Sequence, residues 1–405
     1  MTAERLRVPG RDRALWLLAA AMLLGMSAWF SASAVIPQLR EEWALTPTAG
    51  AWLTIAVQLG FVTGALVSAS LNLADVFPAR RVFAASALAA AAANLGVAMV
   101  DGVGSGIPLR FATGFFLAGV YPPGMKVLST WYRSEERGRA LGILTGALAL
   151  GTALPHLING FGGLPWPGVV AATSGLTLLG GGLALVVADG PYPFPAARFD
   201  PRQAGRVFRN RGVRLASLGY FGHMWELFAM WAWFVVFATE SLEKAATDPG
   251  LAPLITFAVV GSGFLGCYLG GVLGDRWGRS RTTALAMAVS GTCSLTIGLL
   301  FGGSPWLLLA LGVVWGISVV ADSAQFSTVV TEVADQAYVG TALTLQFAVG
   351  FTLTVVTIWL LPLVREASGW WPAFAMLAAG PALGIAAMLR LQRSPEAARI
   401  AGGRG

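Results

Sequence analysis

Six ionisable side chains stand inside long apolar stretches of this sequence: Arg110, Lys126, His156, His223, Glu226 and Asp322. A charged side chain at the centre of a bilayer costs about 2.5–3.5 kcal/mol on insertion scales, so each is expected to face a protein interior and to mark a path for substrate or protons. His223 and Glu226 are three residues apart and share one side of a helix, where Gly219, Met230 and Trp233 continue the stripe. Glu226 suits proton exchange there, with His223 binding the solute or orienting the carboxylate. The plainer alternative is a neutral glutamate acting as a hydrogen-bonded lock. Asp322 and Gln325 share a face with Ser318, a pattern that can hold a polar ligand, exchange a proton, or simply fix helix packing.

Arg110 and Tyr121, eleven residues apart, are close to three helical turns from one another and align on one face, where the guanidinium would hold an anionic solute. Lys126 falls about 160° round from Arg110 on a straight helix. It reads as a lysine snorkelling to the interface, unless Pro122 and Pro123 break the helix and turn it inward. His156 follows Pro155, whose missing N–H kinks a helix, and reads as the polar cap of a hinge or as a ligand. Trp16, Trp29, Trp370 and Trp371 lie at or near helix ends and suit interfacial anchors, with cavity lining the alternative for Trp29.

The elements that must position these residues follow from composition. Of 405 residues, 56% are hydrophobic and 12% charged, and the mean hydropathy is +0.69. Soluble chains carry about a quarter charged residues, so a soluble fold is not expected. Apolar runs long enough to span a bilayer fall at 14–36, 48–73, 82–100, 104–129, 139–161, 167–188, 215–239, 250–274, 282–302, 305–330, 338–363 and 370–390, twelve in all. The first is too long for the apolar part of a cleavable signal and is expected to remain as a spanning helix. Cys267 and Cys293 lie within such runs at no metal or redox spacing and read as packing residues, so neither metal nor cofactor is expected.

A net charge of +7 in a soluble protein would suggest nucleic acid, but here the arginines cluster between apolar runs. With the N-terminus inside, inner segments hold 22 of the 27 Lys and Arg, and outer loops only Arg40, Lys244 and Arg365. Both termini are therefore expected in the cytoplasm, and nucleic acid is not an expected partner. The polar stretch 189–214, with Pro191, Pro193, Pro195 and six arginines, reads as a linker between one six-helix half at 1–188 and another at 215–405. Features recur across it. Leu73-Ala74-Asp75 before Arg80 and Arg81 matches Leu273-Gly274-Asp275 before Arg279 and Arg281, and Gly138-Arg139-Ala140-Leu141 matches Gly340-Thr341-Ala342-Leu343. Two parallel six-helix repeats with a midplane site between them are an architecture of secondary transporters.

The run Gly271-Val272-Leu273-Gly274-Asp275-Arg276-Trp277-Gly278-Arg279-Ser280-Arg281 resembles the loop signature of the major facilitator superfamily. The copy between helices 2 and 3 keeps Asp75, Arg80 and Arg81 but has Leu71 and Pro78 in place of glycines. Arg110 in Leu109-Arg110-Phe111-Ala112-Thr113-Gly114 resembles the family's helix 4 arginine, and Trp131 to Gly142, with Glu135, Glu136 and Arg137, resembles its loop before helix 5. The resemblance implies an all-α membrane protein of twelve transmembrane helices in two pseudo-symmetric halves. It also implies a central cavity lined by helices 1, 4, 7 and 10. Asp75, Arg80, Arg81, Asp275, Arg279 and Arg281 would form a cytoplasmic latch, closed in the outward-facing state and open in the inward-facing one.

Within the superfamily, Tyr121-Pro122-Pro123-Gly124 leading to Trp131 resembles bacterial organic-anion and nitrate or cyanate permeases, although the arginines of nitrate porters on helices 2 and 8 are missing. The helix 5 antiporter signature is incomplete, since Gly142, Gly146 and Gly151 are present but Pro155 follows Leu154. The expected function is proton-coupled secondary transport of a small solute, an organic anion, across the bacterial inner membrane by alternating access, as a monomer. Arg110, Tyr121, His223, Asp322 and Gln325 would bind the solute, and Glu226 and Asp322 would carry the proton. Efflux of drugs or other amphiphilic compounds is the alternative, and a non-transporting receptor or lipid scramblase a more distant one. No phosphate-binding loop, metal-ligand cluster or activated nucleophile is visible, so an enzyme is not expected.

Overall fold

The computed structural model describes residues 8–133, 137–162, 164–192, 200–335 and 339–403. Glu135, Glu136 and the middle of the predicted linker, 193–199, lie outside the described residues. Within them, twelve helices follow the predicted apolar runs. They are α1 (Arg11–Gly25), α2 (Pro47–Ser70), α3 (Ala79–Val97), α4 (Val103–Ser129), α5 (Arg137–Gly160), α6 (Trp166–Val186), α7 (Arg211–Lys244), α8 (Pro249–Trp277), α9 (Arg279–Leu300), α10 (Pro305–Val333), α11 (Val339–Ser368) and α12 (Trp370–Gln392). Ten of them are long and apolar enough to cross a membrane. The other two are α1, with fifteen residues, and α3, which carries Arg80, Arg81 and Asn94.

Local chemistry sets the helix starts. Thr46 accepts a hydrogen bond from Ala49 N ahead of Pro47, and Asn210 accepts one from Val213 N at the head of α7. Packing then sorts the helices into two sets. In the first, α1 lies on α5 and α6, α2 on α4, and α3 on α4 and α6; in the second, α7 lies on α10, α11 and α12, α8 on α10, and α9 on α10 and α12. The sets meet along two seams, α2 against α11 and α5 against α8. The second and fourth helices of each set touch backbone to backbone: a Cβ added at Gly60 or Gly114 would collide with carbonyl groups across α2 and α4, and one at Gly266 or Gly316 with those across α8 and α10.

The two copies of the loop motif turn by different means. Gly278, between α8 and α9, has φ +93°, which favours glycine. In the first copy, where Pro78 stands in the matching place, the left-handed joint has moved to Asn72 at φ +50°, a conformation asparagine tolerates. Leu71 and Pro78 are thus compatible with a working turn.

The helix order puts the arginine-rich loops at one end, the basic end. At the far end the two sets are clamped together. Glu240, at the end of α7, accepts hydrogen bonds from Arg365 Nη2 at 2.5 Å and Trp370 Nε1 at 2.8 Å, and Arg40 of the first set approaches it to 3.8 Å. Glu240→Ala is expected to loosen this end by about 1 kcal/mol, roughly fivefold in population. The measurement is impermeant-reagent labelling, from the far-end side, of a single cysteine placed at Leu227. An unchanged rate would remove the clamp.

Candidate functional site

Between the two sets lies a cavity of about 130 Å³. Its walls come from both: Trp29 just beyond α1, Phe61 of α2, Tyr121 of α4, Thr145 and Thr152 of α5, then Tyr220 and His223 of α7, Ser323 and Thr328 of α10, and Phe351 of α11. An aromatic cluster closes it towards the far end, with the Trp29 ring tilted against Phe61 at 4.8 Å and Phe228 at 5.8 Å, and Phe61 4.7 Å from Phe351. At the other extreme the lining reaches Gly138, at the head of α5, and Thr328, near the end of α10. The cavity therefore points to the basic end.

The ionisable residue on its wall is His223, and Asp322 stands against it, outside the lining. Nδ1 of His223 lies 2.8 Å from Oδ1 of Asp322, both side chains are only 2% exposed, and Ser323 Oγ lies 3.0 Å from His223 Nε2. Asp322 sits where α10 loses its helical pattern, between Ala321 and Ser323, so the break aims the carboxylate across at α7. Asp322 and His223 meet, as residues expected to bind the solute. His223 does not orient Glu226.

Three expected site residues take other positions. Glu226 is buried but does not line the cavity: Trp315 Nε1 donates to Oε1 at 2.7 Å and Ser290 Oγ to Oε2 at 2.9 Å, so it ties α7 to α9 and α10. Three residues of spacing leave 60° between two side chains, enough to send His223 to the cavity and Glu226 into the interface behind it. Gln325 also turns away. Its amide donates to Gly270 O at 3.1 Å and its oxygen accepts from Arg279 Nη1 at 3.0 Å, which places it in the α8–α10 contact near the basic end.

Arg110 is the largest departure. It is fully buried, and its donors are taken by backbone and small polar groups: Nε by Leu53 O at 3.3 Å, Nη1 by Ala28 O at 3.0 Å, Ser31 Oγ at 3.0 Å and Asn94 Oδ1 at 2.7 Å, and Nη2 by Trp29 O. Helix α1 stops at Gly25, and 26–32 follow as a run of turns that leaves carbonyls without intrahelical partners. The guanidinium fork takes up Trp29 O and adds to Ala28 O, which Ser31 also reaches, so Arg110 staples broken helix 1 and does not reach the cavity. Tyr121 does line it, and Trp29 is a cavity wall and not an interfacial anchor. His156, fully buried after Pro155, does not line it.

The latch residues pair within each set. Lys126, which does not face the cavity, binds Asp75 and donates to Ala74 O at 2.5 Å. Arg279 contacts Asp275 at 3.7 Å and grips both oxygens of Glu332 at 3.1 Å. Arg80, Arg81 and Arg281 form no ion pair among the described residues. Lys126, Glu332, Asn94 and Glu240 were not assigned these roles from the sequence; the one available hint, Glu332 seven residues after Gln325 on the same helical face, is a weak one.

Two six-helix sets around a cavity that reaches towards one end, with His223 on its wall, form the architecture of a secondary transporter. The chain matches the family model for the Major Facilitator Superfamily over residues 17–351, and it belongs to that family. A stretch of 127 residues, 31% of this chain, is 28% identical to the niacin transporter NiaP of Acinetobacter baylyi and spans 28% of that protein's length. The crystal structure of a D-xylose-proton symporter matches with a TM-score of 0.72 at 15% identity, over 93% of this chain and 96% of its own. The inward-open xylose transporter XylE from E. coli matches with a TM-score of 0.72 at 13% identity, over 95% and 96%. At these identities the solved structures speak for the fold. The protein is a multi-pass membrane transporter and not an enzyme.

If Arg110 is a staple, Arg110→Lys, which loses the fork, is expected to lower the melting temperature by on the order of 2–4 °C. A variant that melts as the wild type would contradict the staple.

Proposed function

We propose that this transporter moves a small organic anion across the bacterial inner membrane together with a proton, as a monomer, with both termini and the basic end in the cytoplasm. The observation that carries the reading is the His223–Asp322 pair, 2.8 Å apart, with His223 on the wall of a cavity lined besides by aromatic, hydroxyl and aliphatic side chains. With one shared proton the pair is neutral. With two it carries a net positive charge, which compensates an anion held in the same low-dielectric chamber. The loaded carrier is then electrically balanced and can change face; release of the anion and one proton returns the pair to neutrality.

The partial match to a niacin transporter, niacin being an aromatic carboxylic acid, and the fold shared with a proton symporter both favour this reading. The orientation rests on the 22 basic residues expected inside against three outside. Aromatic walls also suit amphiphilic compounds, so efflux is the second reading; proton-driven flux out of cells, measured in everted vesicles, would select it.

In proteoliposomes with an imposed pH gradient, His223→Gln is expected to abolish accumulation of the anion while leaving exchange measurable, because glutamine cannot take the second proton that makes the pair positive. Glu226→Gln, behind the wall, is expected to keep a proton-dependent accumulation. Normal accumulation by His223→Gln would move the coupling site elsewhere, with Glu226 the first place to look.

A further inference from the structure

Trp29 and Trp231 line the cavity near its closed end, from the break after α1 and from α7, and flank Phe228 at centroid distances of 5.8 and 5.4 Å. Each is 2% exposed, and neither indole N–H has an acceptor among the described residues. A buried donor left unpaired costs free energy that native structures seldom tolerate without a reason. The other buried tryptophans of the second helix set are paired: Trp233 donates to Ile358 O, Trp315 to Glu226 and Trp370 to Glu240. Away from the cavity Trp43 also lacks an acceptor, but Trp29 and Trp231 are the two unpaired indoles that line one chamber, where an acceptor from outside the protein can reach them.

The charge behind this wall has a sign. Arg110 holds the carbonyl of Trp29 itself, and its partners, Leu53 O, Ala28 O, Ser31 and Asn94 besides Trp29 O, include no carboxylate. An uncompensated cation at a low-dielectric site favours an anion nearby. The rings of Phe61 and Phe351, 4.7 Å apart, add a lining suited to a flat apolar body.

We propose that the indole N–H groups of Trp29 and Trp231 receive the carboxylate of a small aromatic monoacid, whose ring packs against Phe61, Phe228 and Phe351. The inference rests on the reading of this protein as an anion carrier and names the subsite and the substrate class. Both N–H groups are closed off from water in the present state, so the acid is received as the indoles turn towards the cavity.

The test is calorimetric binding to the purified, full-length protein, with benzoate and niacin as acids and benzamide and nicotinamide as their neutral counterparts. Wild type is expected to bind the acids more tightly than the amides. Trp29→Phe and Trp231→Phe keep the ring and delete the donor, and each is expected to weaken acid binding roughly tenfold or more, as for a hydrogen bond to a charged group, with an unchanged melting temperature. Should one variant fail to fold, the other decides alone. Acid binding at wild-type strength in the Phe variants would overturn the subsite while leaving proton-coupled anion transport standing. Equal affinity for acids and amides, or no binding of either acid by wild type, would overturn the subsite and the anion reading together.

Discussion

Arg110 lies within a span with no carboxylate beside it, and the helix it binds is broken at that point. In hydrocarbon a backbone carbonyl without a partner costs several kcal/mol, so a helix can be interrupted only where something else takes over its hydrogen bonds. The guanidinium does so for Ala28 and Trp29, assisted by Asn94 and Ser31. This lets Trp29 stand in irregular backbone at the cavity wall instead of on a continuous helix. The aromatic closure depends on it, because Phe61, Phe228 and Phe351 all pack on that indole.

The same constraint sorts the remaining intramembrane charges. Asp322 stands at the break in α10 and finds His223; Glu226 finds the Trp315 and Ser290 donors. Of these only His223 lines the cavity, so charge can enter and leave the His223–Asp322 pair through the imidazole. The far-end clamp at Glu240 and the intraset pairing of Asp75 with Lys126 and of Arg279 with Glu332 fit a single picture. The far end holds the two sets together, while at the basic end Asp75 with Lys126 and Arg279 with Asp275 and Glu332 pair within their own sets. That arrangement is what a cavity open to the basic end requires.

Much of the fold is legible in the sequence because membrane crossing imprints long apolar runs and arginine-rich loops, and the Leu-Ala-Asp and Leu-Gly-Asp motifs mark the repeat. The site is legible only in part. Residue spacing reports which side chains share a helix face, and the family resemblance, not spacing, implies that helices 4, 7 and 10 face one cavity, which Tyr121 and His223 line. Spacing does not report what lies opposite. The partner of Arg110 is the broken backbone of α1, about eighty residues away in sequence, and the partner of Lys126 is Asp75 in the loop between α2 and α3. Glu226 shows the limit most plainly: 60° of rotation separates it from His223, and that turn decides between a cavity and a helix interface.

The central claim is that solute and proton are bound by one chamber through the His223–Asp322 pair. It is tested most directly by counting protons when solute binds, in lightly buffered detergent solution with a pH indicator and niacin or benzoate as ligand. Coupling through the pair predicts net uptake of about one proton per acid bound by wild type, and none by His223→Gln. Binding without proton uptake by wild type, or the same uptake by His223→Gln, would contradict it.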